Sequence, residues 1–254
     1  MNEQVERDVM EYDVLIIGGG PSGLSSAIKV KQLASAEGKD VSVCVLEKGS
    51  EIGAHILSGN VFEPTALNEL IPDWKEKEAP LNSPATKDIV KFMISENSSF
   101  NIPFPSFLIP TFNNHGNYVM SLANFTRWLA TQAESLGVEI FPGFTAAEVI
   151  FEENVVKGVL TGEMGISKDG EKKPSYQPSM ELRGKYTVFA EGCRGHLGKQ
   201  LIKKFNLDEN RDPQHYGIGF KEIWDISPED HKEGTVMHTI CLLYTSPSPR
   251  DTEV

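Results

Sequence analysis

The feature that most restricts what this chain can fold into is a glycine-rich turn set between an apolar strand and a helix. Tyr12 to Ile17 (YDVLII) is a short β-branched apolar run and reads as a buried strand. It runs into Gly18-Gly19-Gly20-Pro21-Ser22-Gly23 (GGGPSG), a G-x-G-x-x-G pattern. A helix over Pro21 to Gln32 follows, with Leu24, Ala27, Ile28 and Lys31 on one face. Pro21 suits its first turn, where a missing N–H costs nothing. Val41 to Leu46 (VSVCVL) is a second buried strand, ending at Glu47. Together these make a βαβ unit of about 35 residues, enough for two parallel strands joined by a helical crossover.

Alone, the glycine pattern is a weak signal. Between a strand and a helix, with an acid closing the next strand, it is a strong one for a dinucleotide site. Gly18 permits the tight turn, Gly20 lets the backbone approach a pyrophosphate, and Gly23 lets the helix pack close to the strand. The helix then points its free N–H groups and positive dipole end at the phosphates. Glu47 lies about 24 residues past Gly23, near the ~20 expected of a carboxylate on ribose hydroxyls. It would repel a 2′-phosphate, so NADP is disfavoured. Pro21, Ser22 and Lys48 complete this candidate cofactor set. The competing reading is a glycine turn between packed elements with no ligand.

The rest of the chain argues for a flavin over a nicotinamide. Gly49 to Pro84 is loop-rich, with a short helix expected at Thr65 to Leu70. Strands are expected at Lys87 to Ile94, Tyr118 to Ser121, Val138 to Phe141, Ala146 to Phe151 and Val155 to Thr161. An amphipathic helix is expected at Leu122 to Leu136, closed by Gly137. Met164 to Ser179 reads as an extended hairpin tip, followed by strands at Met180 to Arg183 and Tyr186 to Ala190 and a helix to Phe205. A meander of strands suits a FAD domain better than the alternating βαβ units of a plain nicotinamide domain. Tyr186 to Gly195 (YTVFAEGCRG) places Glu191 and Gly192 after a strand, as expected beside the ribityl or pyrophosphate of FAD; a solvated turn acid is the other reading of Glu191. The expected class is α/β: a Rossmann-like FAD/NAD(P)-binding domain of the glutathione-reductase type, with inserted β-rich and loop segments.

Charge and cysteines exclude other classes. A net charge of −12 argues against a nucleic-acid partner, which needs a basic surface. The three cysteines, Cys44, Cys193 and Cys241, are far apart and lack metal-ligand spacing. No run reaches the ~18 apolar residues of a membrane span. The lead before Tyr12 resembles neither a signal peptide nor a transit peptide, so bacterial cytoplasmic exposure is expected. His55, in the loop after Glu47, is read as a structural loop residue, with a place near the cofactor as the other reading.

Long stretches then carry a resemblance to a family. IGGGPSGLSSAIKVKQ, EKGSEIGAHILSGNV, PDWKEKEAPLNSPAT, NNHGNYVMSLANFTRWLATQAESLGVEIFPGFTAAEV and VFAEGCRGHLGKQLIKKFNL resemble electron-transfer-flavoprotein:ubiquinone oxidoreductases, over nearly all of Glu6 to Ile240. The resemblance implies a FAD reduced by electron-transfer flavoprotein, a [4Fe–4S] cluster, and delivery of electrons to ubiquinone. It puts Gly18, Gly20 and Gly23 on the pyrophosphate, Glu47 on the adenosine ribose, Leu57, Ser58 and Gly59 near the flavin, and Gly192 in a second FAD segment. The family's cluster cysteines lie in a C-terminal region with no counterpart here, so no cluster is expected in this chain. It also implies peripheral, monotopic attachment at the cytoplasmic face of a bacterial inner membrane, or at the mitochondrial inner membrane in a eukaryote. Ile102 to Ile109 (IPFPSFLI) is apolar but broken by prolines, so it cannot span. Phe104, Phe107, Leu108 and Ile109 are the expected bilayer and quinone contact, against the alternative of a loop packed on the core.

The end of the chain has a different character. Cys241 to Asp251 (CLLYTSPSPRD), reverse-translated with ordinary codons, looks like a sequencing-library adaptor read through as coding sequence; a genuine Pro/Ser-rich disordered tail is the other reading. The expected division is therefore 1–240, a FAD-binding domain with the start of a quinone-binding portion, and 241–254, a non-native tail. Two readings compete with the electron-transfer enzyme: a FAD-only reductase or hydroxylase of the geranylgeranyl-reductase-like type, and a fragment without activity.

Overall fold

In the computed structural model, residues 7–240 are described apart from 58, 96–97, 104–111, 218 and 220. The expected bilayer residues Phe104, Phe107, Leu108 and Ile109, together with Ser58 and the tail 241–254, lie outside the described residues. In chain order the elements are β1 (Val9–Ile17), α1 (Pro21–Ala36), β2 (Val43–Glu47), β3 (Asn60–Phe62), α2 (Thr65–Leu70), β4 (Ser83–Pro84), β5 (Lys87–Ser95), β6 (Ser98–Asn101) and β7 (Tyr118–Met120). There follow α3 (Leu122–Ser135), β8 (Val138–Pro142), β9 (Ala146–Glu152), β10 (Val155–Thr161), β11 (Met164–Ile166), β12 (Lys172–Gln177), β13 (Glu181–Phe189), α4 (His196–Phe205) and β14 (Thr235–Ile240).

The chain divides into two units, one of Met1–Leu57 with Leu122–Gly219 and one of Ser58–Ser121 with Phe220–Val254. The first is built on a six-stranded sheet in the order β8-β2-β1-β13-β10-β9. Its β8, β2, β1 and β13 run parallel, and β10 and β9 join antiparallel. Of these, β2 and the second half of β1 read as unbroken apolar runs because both of their faces are buried. Alternation along β1 sends Leu15 and Ile17 to one face, where they cluster with Cys44, Leu46, Val159, Leu182 and Leu197 of α4. Ile16 points the other way, toward Gly23 of α1, and Leu24, Ala27 and Ile28 of that helix are fully buried. α3 packs beside α1 and β8, with Phe125, Leu129 and Ala133 buried along one of its faces.

Two sequence expectations need correcting here. The helix after the glycine turn continues to Ala36, not Gln32. The segments Met180 to Arg183 and Tyr186 to Ala190 are one strand, β13, paired with β1 from Val9↔Glu181 to Ile17↔Phe189. Gly184 reads as a break in the apolar pattern but serves close packing: a Cβ there would stand 2.9 Å from Leu15 Cβ. The polar stretch after Met164 is the expected hairpin, β11 against β12.

The second unit holds two small sheets, β14-β5-β6 and β3-β7-β4. β14 pairs parallel with β5, and the Trp74 ring meets Tyr118 edge-on at 5.7 Å.

Candidate functional site

The parallel register places the ends of four strands at one level. Ile17 pairs with Leu46 and Phe189, and Glu47 with Pro142. Both glycine-rich turns therefore leave the same end of the sheet, the carboxyl end, where ligands of open α/β sheets bind.

The first turn is shaped by its neighbours. Gly18 has φ +112° and donates its N–H to the Leu46 carbonyl at 2.8 Å; a Cβ there would collide with the Ala190 carbonyl. Gly23 is as constrained, because a Cβ would run into the Gly18 carbonyl oxygen and stand 3.2 Å from Ile16 Cγ2. Gly20 is different. Its φ of −77° suits any residue, and a Cβ there would meet no atom within 4 Å. The backbone at Gly20 is thus open, directly at the start of α1. That helix has Pro21 in its first turn, no side-chain cap from Gly20 and no acid in the first turn. Its positive end faces open space, and the exposed Ser22 stands at the same place.

Glu47 closes β2 beside this turn. One carboxylate oxygen accepts the Gly19 N–H at 2.9 Å and the other the Gly49 N–H at 2.7 Å. A carboxylate has about four acceptor positions, so two lone pairs remain for hydroxyl donors. The loop after Glu47 is tied down on both sides: Gly143 donates to the Gly49 carbonyl at 2.7 Å, and Arg127 of α3 pairs with Glu51 at 3.1 Å. Lys48 and His55 are exposed.

The second turn carries Glu191, whose carboxylate accepts the N–H groups of Leu197 (3.2 Å) and Gly198 (2.8 Å) at the start of α4. Gly192 follows with φ +76° in open space. The structure thus gathers Gly18, Gly20, Pro21, Ser22, Gly23, Glu47, Lys48, Glu191 and Gly192 at one sheet end. Leu57, which is exposed, belongs to the first unit; Gly59 (φ +85°) belongs to the second, where its carbonyl accepts from Lys221. Sequence reasoning missed Gly19 and Gly49, whose N–H groups hold Glu47. Their only signal was the density of glycine on both sides of the acid.

Neither of the two described cysteines stands in a metal site. Cys44 is fully buried in β2, and burial pushes its thiol up to about 12. Cys193 is exposed in the second turn. Among the described residues no group of three or more His, Cys, Asp or Glu side chains could hold a metal ion, so the residues present do not fit an iron–sulfur cluster.

Residues 16–71 match the family described as NAD(P)-binding Rossmann-like domain. The electron transfer flavoprotein-ubiquinone oxidoreductase of Pseudomonas aeruginosa is 60% identical over 238 residues, 92% of this chain and 43% of that protein. The sequence kinship of this chain is with the electron transfer flavoprotein-ubiquinone oxidoreductases. The probable oxidoreductase of that name from Acinetobacter baylyi is 58% identical over 92% of this chain and 41% of its own length, and the mitochondrial one of Homo sapiens 50% over 93% and 38%. The chain spans about two fifths of the length of these curated oxidoreductases. Among solved structures, a geranylgeranyl bacteriochlorophyll reductase-like protein of Thermoplasma acidophilum is similar at 21% identity, covering 72% of this chain and 39% of that one, with a TM-score of 0.49.

Proposed function

We propose that this chain is the FAD-binding portion of an electron transfer flavoprotein-ubiquinone oxidoreductase, taking electrons from reduced electron transfer flavoprotein and passing them to ubiquinone in the whole enzyme. The observation that carries this reading is the uncapped start of α1 at Gly20, open where a side chain would point and flanked by the Glu47 carboxylate. The residues fit a dinucleotide. Gly20, Ser22 and Gly23 offer backbone and a positive helix end to a pyrophosphate, and Glu47 offers free lone pairs to ribose hydroxyls.

Bound FAD would supply the two-electron redox chemistry, while the polypeptide supplies placement and electrostatics. Glu47 orients the adenosine end and disfavours a 2′-phosphate by charge. The loops after β2 and β13 border the same space, with Gly192 leaving room for close backbone approach. A [4Fe–4S] cluster, if the whole enzyme carries one, takes its ligands from outside the described residues. Attachment to a membrane surface is part of the proposal. It is supported by the proline-broken apolar run around Phe104, Phe107, Leu108 and Ile109, and among the described residues no helix is long and apolar enough to cross a membrane.

The test is to express this sequence within a full-length oxidoreductase of the length its relatives have. Reduced electron transfer flavoprotein should then reduce a water-soluble ubiquinone analogue with one FAD bound per chain. A purified protein that binds FAD but reduces no quinone from that donor would overturn the electron-transfer reading.

A further inference from the structure

Two glycine-rich turns leave the same end of the sheet, and the helices that follow them are treated differently. α1 starts at Gly20 with no side-chain cap and no acid in its first turn. α4 starts at Gly195, which likewise has no side chain to cap with, yet its N–H groups are taken. Glu191, four residues upstream, folds back so that one oxygen accepts from Leu197 at 3.2 Å and the other from Gly198 at 2.8 Å. His196 Nδ1 stands 3.4 Å from the first oxygen, and the Glu191 side chain is only 11% exposed.

The seat for this carboxylate is made by glycines. A Cβ on Gly195 would lie 2.5 Å from Glu191 Cβ and 2.7 Å from its Oε2, and one on Gly198 would lie 3.7 Å from the same oxygen. The acid, the two glycines and the helix end form one lock. The lock also reaches the first turn, because Ala190, the residue before Glu191, donates its N–H to the Ile17 carbonyl at 2.8 Å and packs its own carbonyl against Gly18.

We infer that Glu191 is a positioning residue for the dinucleotide and not one of its contacts. Its charge neutralises the positive end of α4, so that end cannot receive a phosphate. The only positive helix end left open at the two turns is that of α1, which directs the pyrophosphate there. The lock also holds the loop from Gly192 to Gly195 in place before the cofactor arrives, so ordering that loop is not charged against binding. This rests on the FAD reading above, but its structural half is independent of any cofactor.

The experiment measures two quantities on the whole chain and on the variants Glu191→Ala, Glu191→Gln and Gly195→Ala: the melting temperature of the cofactor-free protein by circular dichroism, and the FAD dissociation constant by quenching of flavin fluorescence. Loss of the cap should lower the cofactor-free melting temperature of Glu191→Ala by about 2–4 °C. It should weaken FAD by several-fold, on the order of tenfold at most. Gly195→Ala should do the same by displacing the carboxylate. Combining it with Glu191→Ala should add little, since the displaced group is gone. Glu191→Gln keeps one acceptor oxygen and should recover part of both losses. An unchanged cofactor-free melting temperature with weakened FAD would mean direct contact, and a lowered one with unchanged FAD affinity a cap alone; either overturns the proposal. Absence of flavin quenching by the unsubstituted chain would instead contradict the FAD reading, and the melting shifts would still decide whether the lock exists.

Discussion

The carboxylate of Glu47 accepts the backbone N–H of Gly19 at 2.9 Å, tying the end of one strand to the turn that leaves its neighbour. Its second oxygen holds Gly49 at 2.7 Å, so a single side chain sets the path of both loops at the proposed cofactor site. Glu47→Ala should therefore cost stability as well as binding. Each hydrogen bond to a charged group is worth about 1.5–3 kcal/mol when its partner is left part-buried. Urea unfolding should show a lower midpoint, with Glu47→Gln intermediate because its amide retains one acceptor. An unchanged midpoint for Glu47→Ala would show that the loops hold themselves.

The glycines of the turn should separate by substitution to alanine. Gly23→Ala drives a methyl into the Gly18 carbonyl and should destabilise by about 1–3 kcal/mol, seen in thermal melting of the cofactor-free protein. Gly20→Ala adds a methyl to open space at an ordinary φ, so the loss of stability should be no more than the roughly 1 kcal/mol of a poorer helix cap. FAD binding by Gly20→Ala should nonetheless weaken by roughly tenfold, about 1.4 kcal/mol. Equal effects of the two substitutions on melting would contradict the assignment of Gly20 to ligand approach.

The opposite end of the sheet gives an acid-side prediction. Asp13 is hydrogen-bonded to Lys185 (2.6 Å) and to the backbone N–H and hydroxyl of Ser42, and these hold its carboxyl at about 2. A carboxyl depressed on folding stabilises the protein above its ordinary value of 3.8, and the contribution is lost as pH falls through about 2. Glu152 is lowered in the same direction, chiefly by its hydrogen bond to Arg183. Asp13→Asn should thus flatten the fall in stability between about pH 4 and pH 2. Glu152 is exposed and Asp13 partly so, and salt should therefore shrink the difference. The check is urea midpoints across that range at low and high salt. An unaltered acid limb would mean the pair contributes nothing.

Cysteine reactivity should follow burial. The thiolate is the reactive form, and Cys44 is fully enclosed with its thiol pushed up to about 12, whereas Cys193 is exposed. Brief alkylation of the native protein at pH 8, read by peptide mass spectrometry, should mark Cys193 and leave Cys44 until denaturant is added. Early labelling of Cys44 would mean that β2 opens in the native state.

What could be read from the sequence, and what could not, has a common cause. The βαβ unit was legible because its signals are local: two β-branched runs, one turn in which Gly18 and Gly23 answer steric demands, and an acid at a fixed distance. The helix ran on to Ala36 because Ala34, which closes its buried side, lies beyond the obvious apolar stripe. β13 looked like two strands because Gly184 and Lys185 interrupt it; only contact with Leu15, 169 positions away in the chain, explains the glycine. The order of the sheet, with β8 at one edge and β13 beside β1, is set by long-range packing that periodicity does not encode. Glu191 was legible as an acid at the second glycine-rich turn. Its bonds to Leu197 and Gly198 depend on a chain reversal that the letters EGCRG allow but do not declare.

The central claim is that the open start of α1 beside Glu47 takes FAD. The most direct measurement is titration of the cofactor-free chain with FAD, followed by quenching of flavin fluorescence, with NADPH as competitor and Gly20→Ala alongside. Saturable binding of one FAD per chain, little displaced by NADPH and weakened by Gly20→Ala, is the predicted result. A chain that is folded by circular dichroism yet leaves flavin fluorescence unquenched, or that binds FAD equally well with alanine at position 20, would contradict it.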